Sequence, residues 1–158
     1  MPSLMPGTPG AKEVYGISII RKDSEITIPP KAFARYELKQ DSFVLLITGR
    51  RGEAGFGLLN KEHADTSVFV KFLNQIDKLN TIYRFQNKAY VLTKLKDKKL
   101  ILTNEMMEAF YLRIGMKLMV VKSTTVTMSY SPVEIWKAKL AQRGFFEALK
   151  NIDTLEEF

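Results

Sequence analysis

The chain has 158 residues, enough for one ordinary domain or for two small halves that share a core. Its 46% hydrophobic and 26% charged residues are typical of a folded protein, and a net charge of +7 favours partners that carry phosphate. The absence of cysteine excludes thiol chemistry, and no apolar run approaches the roughly 20 residues that span a bilayer. We therefore expect a cytoplasmic protein with no membrane partner.

The first elements follow a tail, residues 1–12, whose proline and glycine content predicts flexibility. Alternating apolar residues from Val14 to Ile19 predict a half-buried strand. A second short strand, Ile26–Ile28, ends at two prolines, which cannot donate to a sheet ladder. Apolar spacing over residues 31–38 then predicts a short helix, and a buried strand ends at Ile47.

This pattern occurs twice. Residues 22–47 match residues 96–121 without a gap, at an offset of 74 residues. The match lies mainly in the apolar positions, so both copies are predicted as strand, short helix, tight turn and strand. We assign a first repeat to residues 13–63 and a second to residues 87–131. In the second copy Asn104 is the predicted helix N-cap and Gly115 the turn residue.

Each repeat is followed by a segment with helical spacing of apolar residues. Residues 64–86 are predicted to hold a linking helix capped by Asp65 or Thr66, with an apolar stripe at Val68, Phe69, Phe72, Leu73, Ile76 and Leu79. Residues 132–158 are predicted to form a C-terminal helix from Pro132, with Ser131 and Glu134 as a capping box. An alternative is that Val133–Trp136 completes a strand before the helix. The apolar surface of the two helices predicts a homodimer or larger assembly.

The stretch from Gly16 to Ile47, GISIIRKDSEITIPPKAFARYELKQDSFVLLI, resembles the swapped-hairpin domain of the AbrB/SpoVT-type family. The tandem repeat, with a helix after each copy and the segment VEIWKAKL after the second, is similar to the MraZ form. The resemblance implies an α+β fold: two tandem β-α-β repeats form an intrachain pseudo-dimeric β-barrel, with two further amphipathic helices. It also implies a transcriptional regulator that presses basic turns into DNA grooves.

The chain departs from the family at the turn before the second strand. Where the family usually has Gly-Arg, this chain has Ser24-Glu25 in the first copy and Lys98-Lys99 in the second. The paired arginines of the family's helix correspond here to Phe33 and Ala34. These departures leave the fold expectation intact and weaken the expectation of DNA binding.

An enzymatic function is not expected. The single histidine, His63, falls in a polar connection, where a solvated loop residue is the commoner role. One histidine and no cysteine provide no ordinary zinc site. The glycine-rich stretch 49–57 matches neither a phosphate-binding loop nor a dinucleotide fingerprint and predicts a hairpin turn. We predict no catalytic residue, no metal and no cofactor.

Positive charge follows the repeats: residues 12–51 carry eight basic and five acidic residues, and residues 84–122 carry nine and three. The candidate DNA-binding residues cluster at predicted turns: Arg21, Lys22, Arg50, Arg51, Lys94, Lys96, Lys98 and Lys99. Phosphate contacts and a solubility role are both open, because lysine also protects exposed strand edges. The preferred function is duplex DNA binding. The alternative is a protein-interaction module, a homo-oligomer or one that binds another protein, which keeps the fold without DNA contact.

Overall fold

The computed structural model of the chain describes residues 13–49 and 53–158. The predicted tail, residues 1–12, and residues 50–52 of the predicted hairpin turn lie outside the described residues. The described strands are β1 (Val14–Ile19), β2 (Glu25–Thr27), β3 (Phe43–Thr48), β4 (Phe56–Asn60), β5 (Tyr83–Phe85), β6 (Lys88–Lys94), β7 (Lys99–Ile101), β8 (Lys117–Lys122) and β9 (Thr127–Pro132). The described helices are α1 (Pro30–Arg35), α2 (Lys61–Ala64), α3 (Val70–Leu73), α4 (Asn104–Ala109), α5 (Val133–Gln142) and α6 (Phe146–Ile152).

The predicted α+β class is confirmed. Seven strands form one sheet in the order β1-β8-β9-β4-β3-β6-β5, and β2 pairs with β7 separately. The pairings cross between the copies, because β1 lies beside β8 and β6 lies beside β3, each antiparallel. Within the described residues no pairing joins β1 to β5, so closure into a barrel is not found.

Two cross-copy pairings place equivalent residues directly opposite each other. Ile26 lies opposite Leu100 in the β2–β7 pair, and Phe56 lies opposite Tyr130 in the β4–β9 pair. Each pair is separated by the 74 residues of the repeat. Equivalent residues face each other across a twofold axis. The strand pairing therefore agrees with two equivalent units about an approximate twofold axis.

The two copies differ in length by one residue at the turn before β2 and β7. The backbone N–H of Arg21 donates to Glu25 O at 3.0 Å, and that of Lys96 donates to Lys99 O at 2.9 Å. Three residues separate the first pair and two separate the second. The predicted match of Lys22 with Lys96 is therefore wrong by one position, because the extra residue lies in the first turn.

One shared core joins the copies. Its members include Ile26, Ile28, Leu100 and Leu102, as the repeat predicted. Phe56 and Tyr130 stack at 4.7 Å between ring centroids, with their planes 12° apart. The core is less symmetric in its hydroxyl groups, because the positions equivalent to Tyr36 and Tyr130 are phenylalanines, Phe110 and Phe56.

The buried tyrosine hydroxyls have different partners. Tyr36 Oη donates to Thr127 O at 3.2 Å and lies 3.4 Å from the hydroxyl of Tyr15. Tyr130 Oη is buried and has no hydrogen-bond partner among the described residues. Burial raises the pKa of both Tyr36 and Tyr130 above the ordinary value, because each phenolate would lose its hydration.

Two outer clusters cover the other face of the sheet. Residues of α5 and α6 pack with β1 and β8, while residues of α2, α3 and β5 pack with β3 and β6. Most of the apolar stripes are thus covered by the chain's own sheet, which removes much of the surface behind the assembly prediction. No helix in the described ranges is long and apolar enough to cross a membrane.

The predicted single helix in residues 64–86 is wrong. The Asn60 side chain accepts from Glu62 N, so a helix begins before Asp65 and lasts only from Lys61 to Ala64. The Ser67 hydroxyl donates to Ala64 O and accepts from Phe69 N, which competes with helical hydrogen bonds. The segment therefore holds short helices and β5. Val68, placed on the predicted stripe, is 78% exposed.

The C-terminal prediction is partly wrong. β9 runs through Pro132 and α5 begins directly at Val133, so neither the Ser131 capping box nor a strand to Trp136 forms. Gly144, with φ of 74°, separates α5 from α6. The predicted single C-terminal helix is two helices, because a left-handed residue ends a helix.

The N-cap of α4 also differs from the prediction. The hydroxyl of Thr103 accepts from Met106 N, and Asn104 is the first helical residue. Both threonine and asparagine are good caps, so the sequence pattern fixed the position only to within one residue. Gly115 has φ of 84° and makes the predicted turn.

Candidate nucleic-acid interface

The turn between β6 and β7, residues 96–99, is a tight two-residue loop. Its central residues Asp97 and Lys98 have φ of 51° and 66°. Lys96 and Lys99 exchange two backbone hydrogen bonds of 2.9 Å. Positive φ at both central positions is typical of the hairpin turn whose twist matches its strands. The backbone therefore fixes the direction in which these lysines leave the turn.

The same turn is held against the first copy. The backbone N–H of Lys98 donates to Gln40 O at 3.2 Å, and the Gln40 side-chain amide donates to Asp97 Oδ1 at 2.9 Å. Lys98 Nζ lies 5.7 Å from the centroid of the Phe33 ring in α1. Lys94 Nζ lies 5.7 Å from the ring centroid of Phe43. Two exposed ammonium groups thus lie near the faces of aromatic rings, which attract cations.

The turn between β1 and β2 is longer and differs in charge. Ser24 has φ of 61° and its N–H donates to Arg21 O at 2.9 Å. Residues 21–25 contain two basic and two acidic residues, whereas residues 94–99 contain four lysines and one aspartate. The first turn is therefore neutral and the second carries +3.

One ion pair joins the turns. Glu25 Oε2 lies 3.5 Å from Lys99 Nζ, with the two side chains 29% and 46% exposed. Glu25 and Lys99 are equivalent positions of the two copies. An exposed pair of this kind contributes about 0–1 kcal/mol to stability. Its larger effect is to neutralise part of the charge of Lys99.

The predicted site residues are only partly brought together. Four of them belong to the second turn and its entering strand, and two to the first turn, and all six are exposed: Lys94, Lys96, Lys98, Lys99, Arg21 and Lys22. Because β2 and β7 are antiparallel, the two turns enter the short pair from opposite ends. Arg50 and Arg51 lie outside the described residues.

Sequence reasoning missed the neighbours of each turn. The second turn contacts α1 and the loop after it, and residues 30–42 contain three basic and two acidic residues. The first turn adjoins the loop after α4, because Gly115 N donates to Ile20 O at 2.8 Å. Residues 104–116 contain one basic and two acidic residues. The cross-copy contacts that join each turn to its neighbour follow from strand exchange, which no local pattern signals.

Two other polar features of the structure are a histidine in α2 and an open cleft beside α4. His63 Nε2 lies 3.6 Å from Glu37 Oε1, and His63 Nδ1 is buried without a partner among the described residues. Within those residues no group of three potential metal-ligand side chains occurs. An open cleft of about 960 Å³ lies between α4 and the β5–β6 hairpin. Its walls mix both charges, from Arg84, Lys88, Glu105 and Glu108.

No protein-family model, curated protein or solved structure matches this chain.

Proposed function

We propose that this protein is a DNA-binding transcriptional regulator of the AbrB/MraZ-like type, which contacts duplex DNA through basic turns of its repeats. The observation that carries the proposal is the tight turn at residues 96–99. It presents Lys96, Lys98 and Lys99 to solvent from a backbone held by both copies. Neutralising DNA phosphates releases counterions, and a fixed turn loses little freedom on binding.

The strand exchange supports the same proposal at the level of the fold. Strands pair between copies, as the swapped-hairpin resemblance implies. Ser24 and Lys98 stand where the family usually has glycine, and both adopt the left-handed conformation that glycine favours. We include in the proposal that the two repeats form the intrachain pseudo-dimer of a swapped-hairpin barrel.

Binding to a labelled duplex, followed by fluorescence anisotropy, tests the proposal. We expect native protein to bind at about 50 mM salt and its affinity to fall steeply with added salt. Replacing Lys98→Ala and Lys99→Ala together should reduce the slope of log affinity against log salt by about 0.9 for each lost phosphate contact. The loss should be similar for all duplex sequences, because phosphate contacts carry no base information.

A matched control removes the same charge elsewhere. Lys78 is exposed in the segment after α3, and Lys150 is exposed in α6. Replacing both, Lys78→Ala with Lys150→Ala, should leave DNA binding close to native. An equal loss in both double variants would mean that net charge alone drives the association. Native protein that binds no duplex at low salt would refute DNA binding.

A protein-interaction module is the second candidate, and exposed apolar residues favour it. Tyr111 is 63% exposed and Ile114 is 49% exposed, in the loop after α4. The equivalent residues of the first copy are Glu37 and Gln40, which are polar. Light scattering tests the homo-oligomeric form: an assembly that Tyr111→Ser with Ile114→Ser dissociates would support it, and a native monomer that binds DNA would not.

A further inference from the structure

The two sides of the shared core differ in charge although they are built from equivalent segments. We define the lysine side as residues 94–99 with residues 30–42, and the mixed side as residues 19–25 with residues 104–116. The segments of each side are joined by the backbone contacts of Lys98 with Gln40 and of Ile20 with Gly115. The lysine side has seven basic and three acidic residues, and the mixed side has three and four. The lysine side therefore carries a net charge of +4, and the mixed side, related to it by the approximate twofold axis, carries −1.

From this difference we infer that the protein engages duplex DNA from the lysine side alone, so that its binding site is a single, non-palindromic element. The inference rests on the proposed function. A symmetric pair of turns would read two half-sites related by the same twofold, as symmetric DNA-binding proteins do. Here that symmetry exists in the strands and is lost in the charges.

The acidic neighbours of the basic residues also differ between the two sides, which supports the same inference. Among the described residues Lys94, Lys96 and Lys98 form no ion pair, so no carboxylate neutralises their charges. The aromatic rings beside Lys94 and Lys98 leave both ammonium groups charged. On the mixed side, Arg21 and Lys22 share their turn with Asp23 and Glu25. A phosphate that approaches the mixed side meets local repulsion as well as attraction, which lowers the gain from counterion release.

Helices α1 and α4 reinforce the difference. The position of Lys31 in α1 is occupied by Glu105 in α4, and that of Ala34 by Glu108. All four residues are exposed. Two carboxylates on α4 thus stand where the lysine side offers one ammonium group. Repulsion between these carboxylates and a phosphate backbone keeps the duplex off the mixed side.

Two double variants of equal charge change test the inference. Lys96→Ala with Lys98→Ala removes two cations from the second turn, and Arg21→Ala with Lys22→Ala removes two from the first. We expect the first pair to lower the salt slope by about 1.8 and the second to lower it by less than half as much. Circular dichroism and melting temperature establish that both variants are folded.

Equal losses in the two variants would overturn the single-sided contact while leaving DNA binding intact. The opposite order, with Arg21 and Lys22 dominant, would also overturn it. Failure of native protein to bind any duplex would refute the proposed function itself, so the two failures are distinguishable.

A second measurement tests directly whether the DNA site is symmetric. Selection of bound sequences from a random duplex pool should return a non-palindromic element if only the lysine side makes contact. Recovery of an inverted repeat centred on the protein's twofold would overturn the inference, since it requires equivalent readout by both turns.

Discussion

The turns before β2 and β7 occupy the same place in two copies of one pattern, yet they present different chemistry. The first turn closes a three-residue loop and has balanced charges. The second closes a two-residue loop, and three exposed lysines lie in it or beside it: Lys96, Lys98 and Lys99. Both enter the same short strand pair, centred on Ile26 and Leu100. The comparison shows that the fold constrains the buried partners strongly and leaves the exposed turn residues free to diverge.

The largest effect should come from breaking what the two sides share. Ile26→Ala and Leu100→Ala each remove a fully buried side chain at the centre of the β2–β7 pair. Each should lower the free energy of unfolding by about 2–5 kcal/mol, because a cavity remains. Urea unfolding measures both. A small effect at one position and a large effect at the other would show that the copies do not share this core equally.

The next largest effects should come from the buried tyrosine hydroxyls, in which the two copies differ. Tyr130→Phe should raise the free energy of unfolding by about 1–3 kcal/mol, since it removes a buried hydroxyl without a partner. Tyr36→Phe should lower it by about 0.5–1.5 kcal/mol, because its hydroxyl donates to Thr127 O. Thermal and urea denaturation compare the two. Destabilisation by both variants would indicate that Tyr130 Oη has an ordered partner such as water.

Removing the carboxylate from the ion pair between the turns should have a smaller effect. Glu25→Gln removes the carboxylate 3.5 Å from Lys99 Nζ and should tighten DNA binding by releasing that ammonium group for a phosphate. Stability should change by no more than about 1 kcal/mol, because the pair is exposed. Anisotropy titrations at two salt concentrations test this. Unchanged affinity at low salt would place Lys99 outside the contact.

The smallest effect concerns the left-handed residue of each turn. Ser24→Gly should stabilise the protein by up to about 1 kcal/mol, because Ser24 has φ of 61° and glycine adopts this conformation without steric cost. DNA binding should be unaffected, because no charge is changed. The equivalent Lys98→Gly relieves the same strain but should weaken DNA binding. A loss of affinity in Ser24→Gly would mean that the first turn takes part in the contact.

Local sequence patterns predict much of the fold. The repeat predicted two equivalent units and their shared core. The strand at Val14–Ile19 was predicted, but it is buried on both faces rather than half-buried, because α5 and α6 cover its second face. The prolines after Ile28 predicted the end of the second strand to within one residue, since β2 ends at Thr27. In the two segments outside the repeats, where the helix predictions failed, a local polar side chain or a glycine had changed the backbone. Asn60 and Ser67 divided the linking segment, and Gly144 divided the C-terminal one.

What the sequence determined by itself is therefore the elements of the repeats, their doubling, and the excess of lysine in the second copy. Only the tertiary structure decided which turn adjoins which helix, because strand exchange places the second turn against Phe33 and Gln40 of the first copy. Periodicity reports the face that a residue presents within its own element. It contains no information on partners that are distant in the chain, and the lysine side is formed by such partners.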